Sequence, residues 1–459
     1  MIFNAATNYG GGVDSCVLAG CNVNSNSVLR FGGGGASYSK LSDCQLSGNI
    51  SIEGSGGGAH SCAMTNCSLD WNQALQSGGG MYAGTLTNCV LKGNSADYGG
   101  GAGSAQLFGC TLTGNSAFGI GGGGGGAYDC ILFSCVLLTN STSSLGGGGG
   151  KYCTFNTCLL IGNVATHTLG GGALWSTLNE STLIGNLAHS GGGAYDSDLS
   201  NCSVVGNSAV NGGGAMYCDL YGCTVVGNSA GLGGGLVKGT AQNTIVYFNT
   251  ATSGTNYAGN LSAPVLNYCC TSPLPFGVAN ITNAPQFADL ASYDLRLQSN
   301  SPCINAGNIS IAPSVFDQLG NPRVSGGAQD MGAYEFQGPA SILSYAWAMQ
   351  NGLPIDGSAD FSDPDADGMN NYGEWRADTG PTNALSVLRM VGLTNSAIGV
   401  AVTWQSVSTR VYGLERATNL ASPTYFEPVE SIQGLPGTTT YSDVTATNAG
   451  PYFYRVMVQ

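Results

Sequence analysis

A twelve-residue acidic stretch near the C-terminus has the residue types and spacing of a calcium-binding loop. It reads DPDADGMNNYGE over residues 363–374 and fits the pattern D-x-D-x-D-G-x5-E. Asp363, Asp365 and Asp367 would supply side-chain oxygens, Met369 would supply its carbonyl, and Glu374 could bind with both oxygens. Oxygen ligands at alternating positions suit a hard cation, so the stretch predicts a Ca²⁺ site. The alternative is a solvated acidic linker.

A second group of acidic residues lies in the middle of the chain. Asp196, Asp198 and Asp219 form the sole acidic cluster within residues 1–250. Hydrolysis of a glycosidic bond needs two carboxyl groups held several ångströms apart, and a polysaccharide lyase needs a base and a cation. Basic side chains are scarce in the same stretch: Arg30, Lys40, Lys92, Lys151 and Lys238. We therefore expect these carboxylates to be solvated polar groups on an outward face, with catalysis as the alternative.

Aromatic residues recur just after runs of glycine: Tyr38, Tyr82, Tyr128, Tyr152, Trp175, Tyr195 and Tyr217. If they are exposed, such rings could bind sugars face-on. They could equally cover a sheet and stabilise it by stacking on their neighbours, and the drift of the column by one residue between copies favours that interpretation. Tyr128, Tyr152, Trp175, Tyr195 and Tyr217 remain the candidate ligand-binding residues.

All of these residues except the calcium loop belong to a repeat that fills the first 250 residues. One copy is GGGMYAGTLTNCVLKGNSA, residues 78–96, and its Asn94 recurs at spacings of 21 to 25 residues. The copies align on Asn26, Asn49, Asn72, Asn94, Asn115, Asn140, Asn163, Asn186, Asn207, Asn228 and Asn249. A period in the twenties is typical of a solenoid whose stacked turns supply the core.

Within each copy the apolar residues alternate at period two, as in a strand with one buried face. The fold expected is all-β: a right-handed single-stranded parallel β-helix of about eleven turns, roughly 50 Å long. The Asn column should form a corner, because Asn tolerates a left-handed backbone and its amide can bond to the Asn above and below. Glycine runs should form another corner, where the backbone needs positive φ or close approach.

The seventeen cysteines are arranged in columns. Nine of them stand five residues before the repeat Asn, with Ser181 and Thr244 filling two gaps. Because Cys alternates there with other small residues, we interpret the columns as packing and not as a redox or metal site. Cys303 lies near the vicinal pair Cys269 and Cys270 in the expected fold, so a disulfide is conceivable in an oxidising compartment.

Composition excludes several classes of function. Charged residues make up only 8% of the 459 residues and the net charge is −14, which argues against a nucleic-acid partner. Apolar runs are too short for a transmembrane segment. The sequence begins within a repeat, with Asn4 in the Asn register, so a targeting segment would lie upstream.

Several stretches resemble known families. The alternation of Gly-Gly-Ala with a segment ending in Asn resembles the repeats of polymorphic outer-membrane proteins, which are β-helical adhesins; those usually carry Phe three residues before the Asn, where this chain mostly has Leu or Val. Residues 294–336 resemble the conserved end of choice-of-anchor Q proteins, through Ser301 to Gly307, Asp317 to Arg323 and Asp330 to Glu335. That resemblance implies a surface or secreted protein, generally β-helical, attached by variable C-terminal devices. Arg323, Asp330 and Glu335 look catalytic in isolation, but as one cap we expect them to form an ion-paired closure of the last turn.

The C-terminal part resembles two further families. Residues 363–374 are similar to the calcium repeats of thrombospondin type 3 and of dockerin-like linkers, with Gly368 at the sharp turn; Asn370 stands where helix–loop–helix calcium proteins carry an aliphatic residue. The last 65 residues contain short alternating runs and resemble fibronectin type III-like modules, which implies a small antiparallel β-sandwich.

The expected organisation has four parts: the repeats (1–250), a closing segment (251–339), a calcium linker (340–394) and the sandwich (395–459). The leading functional hypothesis is a non-catalytic protein, secreted or on the cell surface, that serves in adhesion or in binding surface glycans or cell-envelope components. The alternatives are a polysaccharide lyase or glycoside hydrolase and an inert structural rod.

Overall fold

The computed structural model describes residues 1–143, 145–259, 263–310, 314–396, 399–420, 425–447 and 450–459. Two compact units are present: Met1–Ser325 with Gln329–Gln337, and Gly326–Ala328 with Gly338–Gln459. The chain is all-β, with 3% helix, and the first unit is a parallel β-solenoid of about 12 turns. The predicted fold class is confirmed; the right hand of the helix stays a prediction from the rule for parallel connections.

Each turn of the solenoid contributes strands to three parallel sheets, named here in chain order within a turn. Sheet 1 receives two short strands from most turns and one long strand from three of them. Its strands are Val13–Asp14, Val17–Ala19, Ala36–Ser37, Lys40–Ser42, Ala59–Thr65, Met81–Thr87, Ala102–Phe108, Ala127–Tyr128, Ile131–Phe133, Gly150–Lys151, Thr154–Asn156, Ala173–Leu174, Thr177–Asn179, Ala194–Tyr195, Asp198–Ser200, Ala215–Met216, Asp219–Tyr221, Leu236–Val237, Thr240–Gln242 and Val265–Asn267.

Sheets 2 and 3 each have twelve strands. Those of sheet 2 are Asn22–Asn24, Gln45–Ser47, Ser68–Asp70, Val90–Lys92, Thr111–Thr113, Val136–Leu138, Leu159–Ile161, Thr182–Ile184, Ser203–Val205, Thr224–Val226, Ile245–Tyr247 and Cys270–Thr271. Those of sheet 3 are Ala5–Ala6, Ser27–Val28, Ile50–Ser51, Gln73–Ala74, Ser95–Ala96, Ser116–Ala117, Ser141–Thr142, Val164–Leu169, Leu187–Ser190, Ser208–Asn211, Ser229–Leu232 and Thr250–Ser253.

The strands are paired so that equivalent residues of successive turns lie beside each other. Leu86 pairs with Leu107 in sheet 1, and Leu91 pairs with Leu112 in sheet 2. These leucines are fully buried and belong to one continuous core. Because the alternate residues of each short strand point outward, only one side chain in two is available for packing in the core. The turns are closed by corners at which one residue has positive φ.

The Asn column forms an unbroken hydrogen-bonded ladder. From Asn4 to Asn228 each side-chain amide donates to the side-chain oxygen Oδ1 of the next Asn at 2.9 to 3.0 Å, as Asn94 does to Asn115. The ladder was predicted, but the prediction of a left-handed backbone at these Asn residues was wrong. Positive φ falls on the preceding residue, for example Gly93 at +64°, which leaves the Asn free to turn its side chain inward.

Both predicted uses of glycine are present in the same turn. Gly78 has a φ of +66°. An added Cβ on Gly80 would stand 2.7 Å from the carbonyl oxygen of Gly101, so the backbones of successive turns approach too closely for any side chain.

The cysteine columns are packing positions, as interpreted, and they are buried except at Cys16 and Cys21 near the start of the solenoid. In the column that stands five residues before the repeat Asn, the backbone N–H of Cys89 donates to the sulfur of Cys110 at 3.4 Å, and the Cys89 thiol donates to the Thr87 carbonyl. All seventeen cysteines, which lie within the described residues, are free thiols. The conceivable disulfide of Cys303 is therefore not formed. The Cys270 thiol donates to the Asn283 carbonyl at 3.1 Å, and burial, followed by the neighbouring Cys303, raises the pKa of Cys270.

The second unit contains two helices and two antiparallel sheets. The helices are Tyr345–Gln350 and Asn371–Ala377. One sheet has the strands Met390–Ser396, Gly399–Ser406 and Gly437–Asp443, and the other has Glu427–Gln433, Val411–Ala417 and Phe453–Val458. Residues from both sheets share one core around Trp404 and Tyr412, as in a sandwich. Its first strand begins at Met390, whereas the predicted boundary was residue 395.

Candidate functional site

Aromatic side chains concentrate at one of the solenoid's corners. This corner follows the first strand of sheet 1, and its residue has positive φ in turn after turn, as at Tyr152 (+56°), Trp175 (+49°) and Tyr217 (+58°). Bulky residues adopt this conformation rarely, at a cost of about 1–3 kcal/mol each. The corner before the Asn column is glycine in most turns. Large rings at a strained position, where glycine would be easier, indicate that the rings themselves are required.

The drift of the aromatic column has a structural explanation. Tyr38, Tyr152, Trp175 and Tyr217 occupy the corner, while Tyr82, Tyr128 and Tyr195 occupy the strand position just before it. Two adjacent columns therefore form one aromatic stripe. Its rings contact each other from turn to turn: Tyr152 stacks on Trp175 with centroids 5.2 Å apart and planes at 18°, and Tyr195 lies 5.5 Å from Tyr217.

A groove on this stripe brings the aromatic and acidic candidates together. Its cavity volume is about 400 Å³. The lining residues are Tyr152, Trp175, Ser176, Thr177, Asp196, Ser197 and Asp198. Asp219, the third acidic candidate, is the register partner of Asp198 on the next strand of sheet 1. Tyr128, Tyr195 and Tyr217 continue the stripe beside the groove.

The three carboxylates differ in their partners. Asp196 accepts a 2.8 Å hydrogen bond from the indole nitrogen of Trp175, which fixes the plane of that ring. Asp219 accepts one from the Thr240 hydroxyl at 2.7 Å. The pKa of Asp198 is raised by partial burial and then by the negative charges of Asp219 and Asp196. The groove is thus a site of concentrated negative potential beside apolar ring faces.

Lys151 is a component of the site that sequence reasoning passed over. Its side chain is buried, and its ammonium lies 5.4 Å from the ring centre of Tyr152 and 5.2 Å from that of Trp175. The ammonium also donates to the carbonyl of Gly122 at 3.0 Å, and burial lowers its pKa. Lys151 fills the strand position that Tyr128 and Tyr195 occupy in other turns. Its position in the aligned repeats could therefore have identified it as part of the site.

The acidic loop of the second unit forms a compact group of oxygen ligands. Carboxylate oxygens of Asp363, Asp365 and Asp367 lie within 4.8 Å of one another. Gly368 has a φ of +94°, the sharp turn that the pattern requires. The backbone N–H groups of Gly368 and Met369 donate to Asp363 and Asp367 at 3.0 and 2.8 Å and hold these carboxylates in place.

Glu374, on the helix Asn371–Ala377, is a fourth carboxylate near this group and lies outside the 4.8 Å cluster of the three aspartates. Its side chain is fully buried, yet neither carboxylate oxygen has a hydrogen-bond partner among the described residues. Burial, followed by the charges of the three aspartates, raises its pKa to about 7. Asn370 caps the helix by accepting from the Gly373 N–H at 2.9 Å, which explains the polar residue at that position. A buried, unpartnered carboxylate facing three others fits a divalent cation.

The closing segment contains a buried cluster of ionisable residues, of which Arg323 and Glu335 form the expected ion pair and Asp330 does not take part in it. The Arg323 guanidinium lies 3.2 Å from Glu335, and both side chains are almost fully buried. Asp330 accepts from the backbone N–H groups of Asn305 and Phe336. These groups bond to the segment's own backbone, so their role is structural.

Comparison with known proteins finds no family model and no curated protein that matches the chain. Among the described residues, neither helix is long and apolar enough to cross a membrane. The class that the structure defines is a parallel β-solenoid protein with an antiparallel C-terminal sheet region. Its function has to be argued from the groove and the acidic loop.

Proposed function

We propose that this chain is a non-catalytic protein of the cell surface or the extracellular space that binds carbohydrate through the groove on its aromatic stripe. The observation that carries the proposal is the groove itself, where the rings of Tyr152 and Trp175 stand beside the carboxylates of Asp196 and Asp198. Sugars present an apolar face of C–H groups and a rim of hydroxyls. Aromatic faces with a few polar groups around them are suited to both.

The positions of the rings support binding more than sheet covering alone. Tyr152 and Tyr217 are 47% and 39% exposed, although each occupies a strained corner. A ring that served only to cover the sheet would gain most from being buried. Trp175 is held by its bond to Asp196 and by contact with Lys151, so the platform is organised before a ligand arrives.

Glycoside hydrolysis is the second candidate, because the raised pKa of Asp198 would suit a general acid. Two observations favour binding. Asp196 accepts a hydrogen bond from Trp175, so its carboxylate positions a ring of the binding platform. A lyase would need an available base, whereas the Lys151 ammonium is buried and that of Lys238 bonds to the Tyr217 hydroxyl at 2.8 Å.

We further propose that the loop 363–374 binds Ca²⁺ through Asp363, Asp365, Asp367, the Met369 carbonyl and Glu374. The cation would neutralise Glu374 and the three aspartates, whose mutual repulsion otherwise opposes folding of this loop. Calcium loops of this kind serve extracellular modules, where the ion is abundant. This agrees with the surface location implied by the resemblance to choice-of-anchor proteins.

A glycan array with the full chain tests the carbohydrate proposal. The wild type should bind a subset of glycans, and Trp175→Ala should abolish that binding. Trp71→Ala is the matched control, because Trp71 is 66% exposed at a different corner, and it should bind normally. Bound glycans are then assayed for new reducing ends and unsaturated products. Turnover that Asp198→Asn abolishes would establish the enzyme instead, and no binding at all would leave an inert rod.

A further inference from the structure

The aromatic stripe extends well beyond one sugar. Tyr128, Tyr152, Trp175, Tyr195 and Tyr217 come from five consecutive turns of the solenoid. Adjacent strands are about 4.8 Å apart, so these rings span about 20 Å parallel to the stacking axis. A monosaccharide would contact only one or two of them. The stripe therefore fits an extended chain lying along the axis.

The charges beside the stripe are predominantly negative. Asp129, Asp196, Asp198 and Asp219 lie on the same turns as the rings. Lys151 lies on these turns and Lys238 on the turn that follows them, and both ammonium groups already have partners. Lys151 is enclosed by the rings and the Gly122 carbonyl, and Lys238 is bonded to Tyr217. A ligand would therefore meet four carboxylates that retain free lone pairs against these two ammonium groups, of which that of Lys238 keeps further donors.

We propose that the groove binds a linear chain of amino sugars, extended parallel to the solenoid axis, with its protonated amines directed at Asp198 and Asp219. This inference rests on the proposed carbohydrate function and names its ligand class. The aromatic stripe extends beyond the carboxylates that line the groove: its rings supply stacking surface for the pyranose faces, and the acids select the charge.

The chemistry of this arrangement discriminates between classes of glycan. Asp198 and Asp219 stand on neighbouring strands, at the spacing of successive turns, so consecutive sugars can reach successive carboxylates. A protonated amine would donate charge-assisted hydrogen bonds to them. A uronate would place its own carboxylate against the same groups and be repelled.

Isothermal titration with oligomers of one to six units tests this inference on the full chain. Three matched series are used: glucosamine, N-acetylglucosamine and galacturonate. Affinity for glucosamine should rise with chain length and exceed that for the N-acetylated series by about tenfold at low salt, since charge-assisted bonds are the stronger ones. The galacturonate series should not bind.

Variants assign the selectivity to the groove. Asp198→Asn should remove most of the affinity advantage that the free-amine series has over the N-acetylated series. Asp70→Asn, which alters a carboxylate that accepts from Ser68 on sheet 2, should change neither series.

The outcomes separate this inference from the proposed function. Equal or tighter binding of N-acetylated or uronate chains, or affinity independent of length, would overturn the amino-sugar proposal and leave carbohydrate binding intact. A protein that binds none of the three series and no glycan on the array would overturn both.

Discussion

Replacing Asn140 with alanine should destabilise the solenoid severely at a single turn. Asn140 is fully buried, and its Oδ1 accepts from the backbone N–H of Asn115 at 3.0 Å and from its amide at 2.9 Å. Its own amide donates to the Leu112 carbonyl at 2.9 Å and to Asn163 at 3.0 Å. Alanine removes these four buried hydrogen bonds, at about 0.5–1.5 kcal/mol each, so the expected loss is about 2–6 kcal/mol.

Urea unfolding together with residue-resolved hydrogen exchange measures this loss. In a solenoid, stability is a sum of terms for turns and for their interfaces, so the Asn115 amide should exchange faster while distant turns are unaffected. Asn156→Ala is the matched control: it removes one partly buried bond from Asn179 at 3.0 Å and should cost about 0.5–1.5 kcal/mol. Equal losses in the two variants would refute the argument that the ladder stabilises the turns.

Three further predictions concern other parts of the chain. Calcium should raise the melting temperature of the second unit, and Glu374→Gln should abolish the shift; a wild type that melts unchanged would rule out the site. Cys89→Ser should cost less than about 1 kcal/mol in urea, because Ser181 makes the same bonds in the same column; a larger loss would contradict the packing interpretation. Burial raises the pKa of Glu335 to about 9, so its contribution to stability is fully present below the unfolded pKa of about 4.3 and is lost as pH rises towards 9. Melting at pH 5 and pH 8 should show this decline, and Glu335→Gln should flatten it.

The sequence predicted the solenoid well because each turn repeats the same environments. Leu86 and Leu91 are buried in register with their counterparts, and the Asn ladder follows from a residue that can both donate and accept. The backbone conformation of the corners could not be predicted in the same way. Positive φ falls on Trp175 and Tyr152, residue types that seldom adopt it, so residue preference pointed to the Asn column instead.

The candidate site was predicted in pieces and not as a whole. Trp175 and Asp196 are 21 residues apart and occupy the same corner of successive turns. An alignment of the repeats on that corner residue would have predicted that they lie side by side. Lys151 looked like an isolated base, because its burial depends on rings from the turns on either side. In the acidic loop the pattern identified the candidate ligands, whereas the complete burial of Glu374 could not be predicted without the helix that Asn370 caps.

A crystal structure of the chain with a bound glucosamine hexamer tests the central claim most directly. We expect sugar rings on the faces of Trp175 and Tyr152, with the chain running parallel to the stacking axis towards Tyr217. A hexamer bound elsewhere on the molecule, or lying across the turns with no ring on Trp175, would contradict the assignment of the groove.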